Sequence, residues 1–182
     1  MTYITSTSAG IRYFCWRWNI RVDPRFRMFM PYDEKQQSDR PWSPKIVAFV
    51  CNWCTYTGAD LAGTSRLKMD ANVRVIRLAC SSRVSPLFII KAFERGADGV
   101  IVSGCHTGDC HYSTGNYYAR RRFAILRDLL QFMGVEDDRV TFSWVSASED
   151  NKWQEVVNET TARVRALGAF HAPLQEKGGE TP

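Results

Sequence analysis

No apolar run in this chain approaches the roughly 20 residues that a membrane helix needs. The first residues, MTYITSTSAGIRYFCWRW, also lack a compact apolar core followed by a cleavage site. A soluble protein of the cytoplasm is expected, where thiols stay reduced. Internal repeats, an RNP-like aromatic set and zinc-finger spacings are missing too, which argues against nucleic acid. The net charge of +5 is no substitute for them. Residues 1–44 carry seven Lys and Arg against four Asp and Glu, so +3 lies there and only +2 in the remainder. There is no Ser-His-Asp order, no metalloprotease motif and no carboxylate pair beside the cysteines, so substrate chemistry is not expected. The Gly-rich stretch Gly58–Gly63 is neither a P-loop nor a G-x-G-x-x-G after a strand. Its small residues suit a helix packed close to a sheet, not a nucleotide.

What is present divides into two unlike parts. Residues 1–44 are rich in Arg, aromatics and Pro (Arg12, Trp16, Arg17, Trp18, Pro24, Pro31, Pro41) and show no period of 2 or 3.6. They read as an irregular N-terminal extension, within which Met28 and Met30 are alternative starts. From Lys45 the pattern is regular. KIVAFV, VRVIRLA, GVIVSG and VTFSWV read as four strands. Helices are expected over 58–68, from the Ser85-Pro86 cap to Arg95, over 115–133, and from the capping-box sequence Ser146–Glu149 to about Gly168. Strands alternating with helices predict a doubly wound α/β three-layer sandwich, flavodoxin-like or Rossmann-like, with a mostly parallel four-stranded sheet over 45–170. Residues 171–182 read as a flexible tail.

Five of the six cysteines sit where three of these strands run out: Cys51 and Cys54 after the first, Cys80 after the second, Cys105 and Cys110 after the third. In a parallel sheet those ends share the carboxyl edge, where such folds place their functional sites. Thiols spread over 60 residues of sequence therefore meet. Three uses remain open. Five thiols exceed by one the four that a [2Fe–2S] or [4Fe–4S] cluster requires. Four thiolates also suit structural zinc, which would make the chain a stapled scaffold component. Cys51-Asn52-Trp53-Cys54, a C-x-x-C at a strand–helix junction, is also the pattern of a thiol–disulfide oxidoreductase. Spacing favours Cys51, Cys54, Cys105 and Cys110 as metal ligands, because each pair arrives on its own loop, and leaves Cys80 as the fifth thiol. Cys15 has no partner in sight.

His106 and His111 flank the second cysteine pair, as hydrogen-bond donors, as groups facing a partner, or as plain loop residues. Arg122 falls at the edge of the apolar stripe Ala119, Phe123, Leu126, Leu130 and Met133, near enough to the cysteine edge to offset charge or fix a loop carbonyl. The alternative is an arginine stem covering apolar surface. Tyr56, Tyr112, Tyr117 and Tyr118 crowd the same edge, where they are either core residues or a docking surface.

The stretches VAFVCNWCTYTGADLAGTSRL and VRVIRLACSSRVSPLFIIKAFERGADGVIVSGCHTGDCHYSTGNYYARRR resemble the delta (D) subunit of methyl-viologen-reducing, F420-non-reducing hydrogenase. The likeness runs from Lys45 to Ala169 and includes all five edge cysteines. Thr107 stands where proline is commoner in the family, and residues 1–44 lie outside the likeness. The resemblance implies a [2Fe–2S] electron-transfer protein of anaerobic metabolism, with Cys51, Cys54, Cys80, Cys105 and Cys110 supplying the ligands. It implies as partners a hydrogenase or formate dehydrogenase on one side. On the other stands the flavin-bearing A-type component of heterodisulfide reductase.

Overall fold

The structure, a computed structural model, describes residues 42–171. The expected extension, with Cys15, and all but the first residue of the expected tail lie outside them.

Four strands form one sheet: β1 (Ile46–Cys51), β2 (Val73–Leu78), β3 (Gly99–Gly104) and β4 (Val140–Trp144). Their order is β2-β1-β3-β4, and every pairing is parallel. The helices α1 (Thr55–Thr64), α2 (Pro86–Glu94), α3 (Gly115–Phe132) and α4 (Asp150–Leu167) fill the connections. Period-2 alternation in β1 and β3 divides the core between two faces. Phe49, Val100 and Val102 join α2 and α3 through Ile89, Phe93, Phe123 and Leu126. Ile46, Ala48, Val50 and Ile101 meet α1 and α4 through Ala62, Trp153 and Val157. This is the doubly wound sandwich that the sequence predicts, with a wholly parallel sheet.

Local chemistry sets the boundaries. Ser85 Oγ accepts a hydrogen bond from Leu87 N at the start of α2, where Pro86 needs no donor partner. Gly96 and Gly134 follow α2 and α3 at positive φ. Helix α1 begins three residues earlier than the sequence suggests, directly after Cys54. Thr55 is buried there, its hydroxyl 3.1 Å from Ser103 Oγ in β3, and this holds the first turn against the sheet. Gly58 serves close packing as expected, since a Cβ there would stand 2.7 Å from Ser146 O. Helix α4 starts at Asp150, just after the expected capping box. Glu149 Oε2 accepts a 2.7 Å hydrogen bond from Ser146 N, which is half of that box.

The amino edge is fastened by a buried pair of polar residues. Asp98 accepts from Lys45 N and Phe170 N. The buried Arg139 donates to Glu136, Asp98 O and Gly168 O.

Candidate metal centre

Strand order decides which loops meet. The sheet reverses its winding between β1 and β3, and the carboxyl ends of those neighbours flank the crevice where open α/β sheets bind their ligands. Cys51 closes β1 and Cys105 follows β3, and their Sγ atoms lie 3.5 Å apart. Cys80, just past β2, and Cys110, on the loop after β3, bring their Sγ atoms to 3.7 Å. Cys54 lies beside Cys105 and is less buried than the other four. The structure thus brings all five predicted thiols to one edge, four of them as two pairs. No three Cys, His, Asp or Glu ligands among the described residues converge on a single point.

The electrostatics favour thiolate at two of the sulfurs, Cys51 and Cys110. The Cys105 thiol donates to Cys51, and the N–H groups of Trp53, Cys54 and Ser81 point at the same sulfur. Against burial, these lower the Cys51 pKa to about 6. The same contact, with burial and the neighbouring thiols, drives Cys105 upward. Burial opposes ionisation of Cys110, but N–H groups of Tyr112, Asn116 and Gly115, with the Cys80 thiol, outweigh it and its pKa falls. Burial raises Cys54 despite its contact with Cys105. Two sulfurs are therefore cradled by oriented N–H dipoles, one at the turn before α1 and one at the start of α3.

The surrounding residues fix the loops. His106 Nε2 meets Glu149 Oε2 at 2.7 Å, tying the Cys105 loop to the start of α4. The His111 ring stacks on Trp53 at 3.8 Å between centroids, and Trp53 Nε1 donates to Tyr112 Oη at 3.3 Å. This aromatic clasp joins the C-x-x-C loop to the Cys110 loop. Arg122 does what its position at the stripe's edge allows, donating to Ser82 O and Val84 O and so holding the Cys80 loop against α3. Tyr112, Tyr117 and Tyr118 are exposed, and none belongs to the core. Tyr56 is half-buried beneath the Arg77 guanidinium.

Asn116 escaped the sequence reading. It is fully buried, donates through Nδ2 to His106 O, and has no partner for Oδ1. Its place one turn ahead of Ala119, a polar residue prolonging an apolar stripe, was the available signal.

This donor set fits a soft metal centre. Two thiolates on one tetrahedral ion, with metal–sulfur bonds of about 2.3 Å, lie about 3.8 Å apart, close to both observed separations. Gly115 leaves room for them: a Cβ there would stand 2.5 Å from Cys80 Sγ and 3.0 Å from Cys110 Sγ.

Fold and edge together define a class: a doubly wound α/β domain whose functional end is a crevice of paired, N–H-cradled thiols. Residues 46–168 match the family described as methyl-viologen-reducing hydrogenase, delta subunit, and the chain belongs to that family. It is 51% identical over 139 residues to the iron-sulfur D subunit of the vhc F420-non-reducing hydrogenase of Methanococcus voltae, covering 76% of this chain and 95% of that protein. The iron-sulfur D subunit of the F420-non-reducing hydrogenase of Archaeoglobus profundus is 53% identical over 129 residues, 71% of this chain and 94% of its own length. A third relative is longer. The A subunit of the ferredoxin/F420H2-dependent CoB-CoM heterodisulfide reductase of Methanosarcina acetivorans is 40% identical over 134 residues, 74% of this chain but 17% of that protein.

Proposed function

We propose that this chain is the iron–sulfur electron-transfer component of a cytoplasmic hydrogenase–heterodisulfide reductase complex. It relays electrons from a hydrogenase or formate dehydrogenase module to a flavin-containing A-type partner. The observation that carries this reading is the pair of sulfur pairs, Cys51 with Cys105 and Cys80 with Cys110, at the switch point of the sheet. Two pairs, each spaced for one tetrahedral ion, suit a two-iron cluster better than a single zinc. The relatives' names support it. Two are iron-sulfur D subunits of hydrogenases, and a third, the A subunit of a heterodisulfide reductase, contains a stretch like this one within a longer chain.

On this reading Cys51, Cys105, Cys80 and Cys110 are the ligands and Cys54 is the fifth thiol beside them. The four-ligand choice based on loop spacing alone gave that place to Cys80. A [2Fe–2S] cluster bound there supplies a carrier of one electron at a time. The protein's part is to hold and tune it. The N–H groups of Trp53, Cys54 and Ser81 on one sulfur, and of Tyr112, Gly115 and Asn116 on another, favour added negative charge and so raise the reduction potential. The Trp53–His111 stack shields the loops on the exposed side.

The test is iron and acid-labile sulfide on anaerobically purified protein, with an EPR spectrum after dithionite reduction. About two irons per chain, matching sulfide and an S = ½ signal are expected. Cys80→Ser should lose most of that iron and Cys54→Ser should keep it. Zinc, or no metal after anaerobic reconstitution, would refute the relay.

A further inference from the structure

Helix α3 buries one stripe, Ala119, Phe123, Leu126 and Leu130, and carries a second apolar stripe that nothing among the described residues covers. Tyr118, Ile125, Leu129 and Phe132 are 58%, 72%, 42% and 89% exposed. With Arg122 their spacing is 118, 122, 125, 129, 132, alternating four and three, which is the seam one helix presents to another. At 1.5 Å per residue the seam is about 21 Å long. Arg122 lies within it and keeps its positive charge, its guanidinium donating to Ser82 O and Val84 O. Leu87, on the adjoining α2, is also largely exposed. A surface so apolar and so regular is unusual on a protein that meets only water.

Charge says what lies on it. At the thiol end of α3 the exposed Arg121 flanks the seam, whereas Arg120, at about 100° per residue, lies on the opposite face, and the helix has no acidic residue before Asp128. We propose that the seam is a docking site for one amphipathic helix of the A-type flavoprotein. That helix is apolar at three–four spacing and carries carboxylates at the end lying beside Arg121 and Arg122. The proposal rests on the place in the complex assigned above. The longer Methanosarcina relative, in which a domain of this kind is part of a heterodisulfide reductase A chain, favours the flavoprotein as the neighbour. Because α3 begins at Gly115, whose N–H points at Cys110, a helix seated along it would fix the thiol edge relative to the flavoprotein.

Three measurements test this, the first on the purified complex. A photo-crosslinker at position 125 should join this chain to an apolar, acid-ended helix of the flavoprotein. A crosslink to α3 of a second copy, to another component, or to no protein would overturn the proposal. The double variant Ile125→Asp/Phe132→Asp should bind the purified flavoprotein roughly 100-fold more weakly, as expected for loss of two interface anchors. Its iron content and circular dichroism should match the parent, since both residues are exposed. Arg121→Glu should slow association about tenfold and flatten its dependence on salt. Unchanged affinity in the double variant would also refute the seam. If the parent held no iron–sulfur cluster the relay reading would fail, yet crosslink and affinity would still decide the docking site.

Discussion

A Cβ atom on residue 115 would stand 2.5 Å from Cys80 Sγ, so the space beside that sulfur exists only because Gly115 has no side chain. Gly115→Ala must push Cys80, Cys110 or the start of α3 aside, at a cost of about 1–3 kcal/mol for overpacking. Urea unfolding of the metal-free protein measures it, and the same variant should load less iron. Gly63→Ala is the control. Nothing lies within 4 Å of a Cβ there, inside α1, so that change should stabilise by about 0.5–1 kcal/mol. Equal effects of the two substitutions would contradict the packing argument.

The Cys51–Cys105 pair makes the metal-free protein sensitive to pH. The folded Cys51 pKa is about 6 against an ordinary 9.0, chiefly through the Cys105 thiol. A depressed pKa means that the unfolded chain binds the extra proton, so this contribution is complete above pH 9 and lost as pH falls through 6. The urea midpoint of the metal-free parent, taken relative to that of Cys51→Ser, should therefore rise between pH 6 and pH 9. Thiolate ultraviolet absorbance should show the ionisation near pH 6, and its persistence in Cys51→Ser would disprove the assignment.

Arg122→Met removes both hydrogen bonds that Nη1 donates to the Cys80 loop while keeping a long apolar side chain. Because Arg122 is largely exposed and water can replace it at the two carbonyls, the cost should be only about 1 kcal/mol. The local consequence is sharper. Amide hydrogen exchange over Ser81–Val84 should accelerate while that of α4 stays unchanged. A uniform increase across the domain would mean that Arg122 supports the whole fold instead of this loop.

At the opposite edge, Arg139 is buried and joins three elements through Glu136, Asp98 O and Gly168 O. Arg139→Met should destabilise by about 3 kcal/mol, since it leaves the buried Asp98 carbonyl and the half-buried Gly168 carbonyl without their donor. Iron per folded chain should not change. A cluster deficit in the folded fraction would show coupling between the edges that the structure does not contain.

Much of this was readable from sequence because it depends on local rules. Apolar runs, three of the four ending in cysteine, gave the strands, and Ser85-Pro86 and Gly134 gave helix limits. The parallel alternation then placed the five thiols on one edge. Arg122 was found at its stripe's border by helical geometry alone. The pairing of sulfurs was not readable. It follows from β1 lying between β2 and β3, which sets Cys51 beside Cys105, and from the fold of the 105–115 loop, which turns Cys110 toward Cys80. Loop spacing grouped cysteines by sequence neighbourhood, whereas the sheet groups them by strand neighbourhood. The Trp53–His111 stack was hidden for the same reason, as its partners are 58 residues apart on different loops.

Strand β3 is buried throughout and joins the two edges, with Asp98 just before it and Cys105 just after it. At about 3.3 Å per residue those groups are roughly 20 Å apart, so on the proposed function heat resistance and redox tuning have separate addresses on one rod. A series of substitutions around Arg139 and Asp98 would act as a thermometer scale, spreading Tm over many degrees while the EPR spectrum of the surviving fold stays the same. On the proposed function, a lineage moving to hotter water could rework the amino edge freely and leave the potential of a cluster at the other edge untouched.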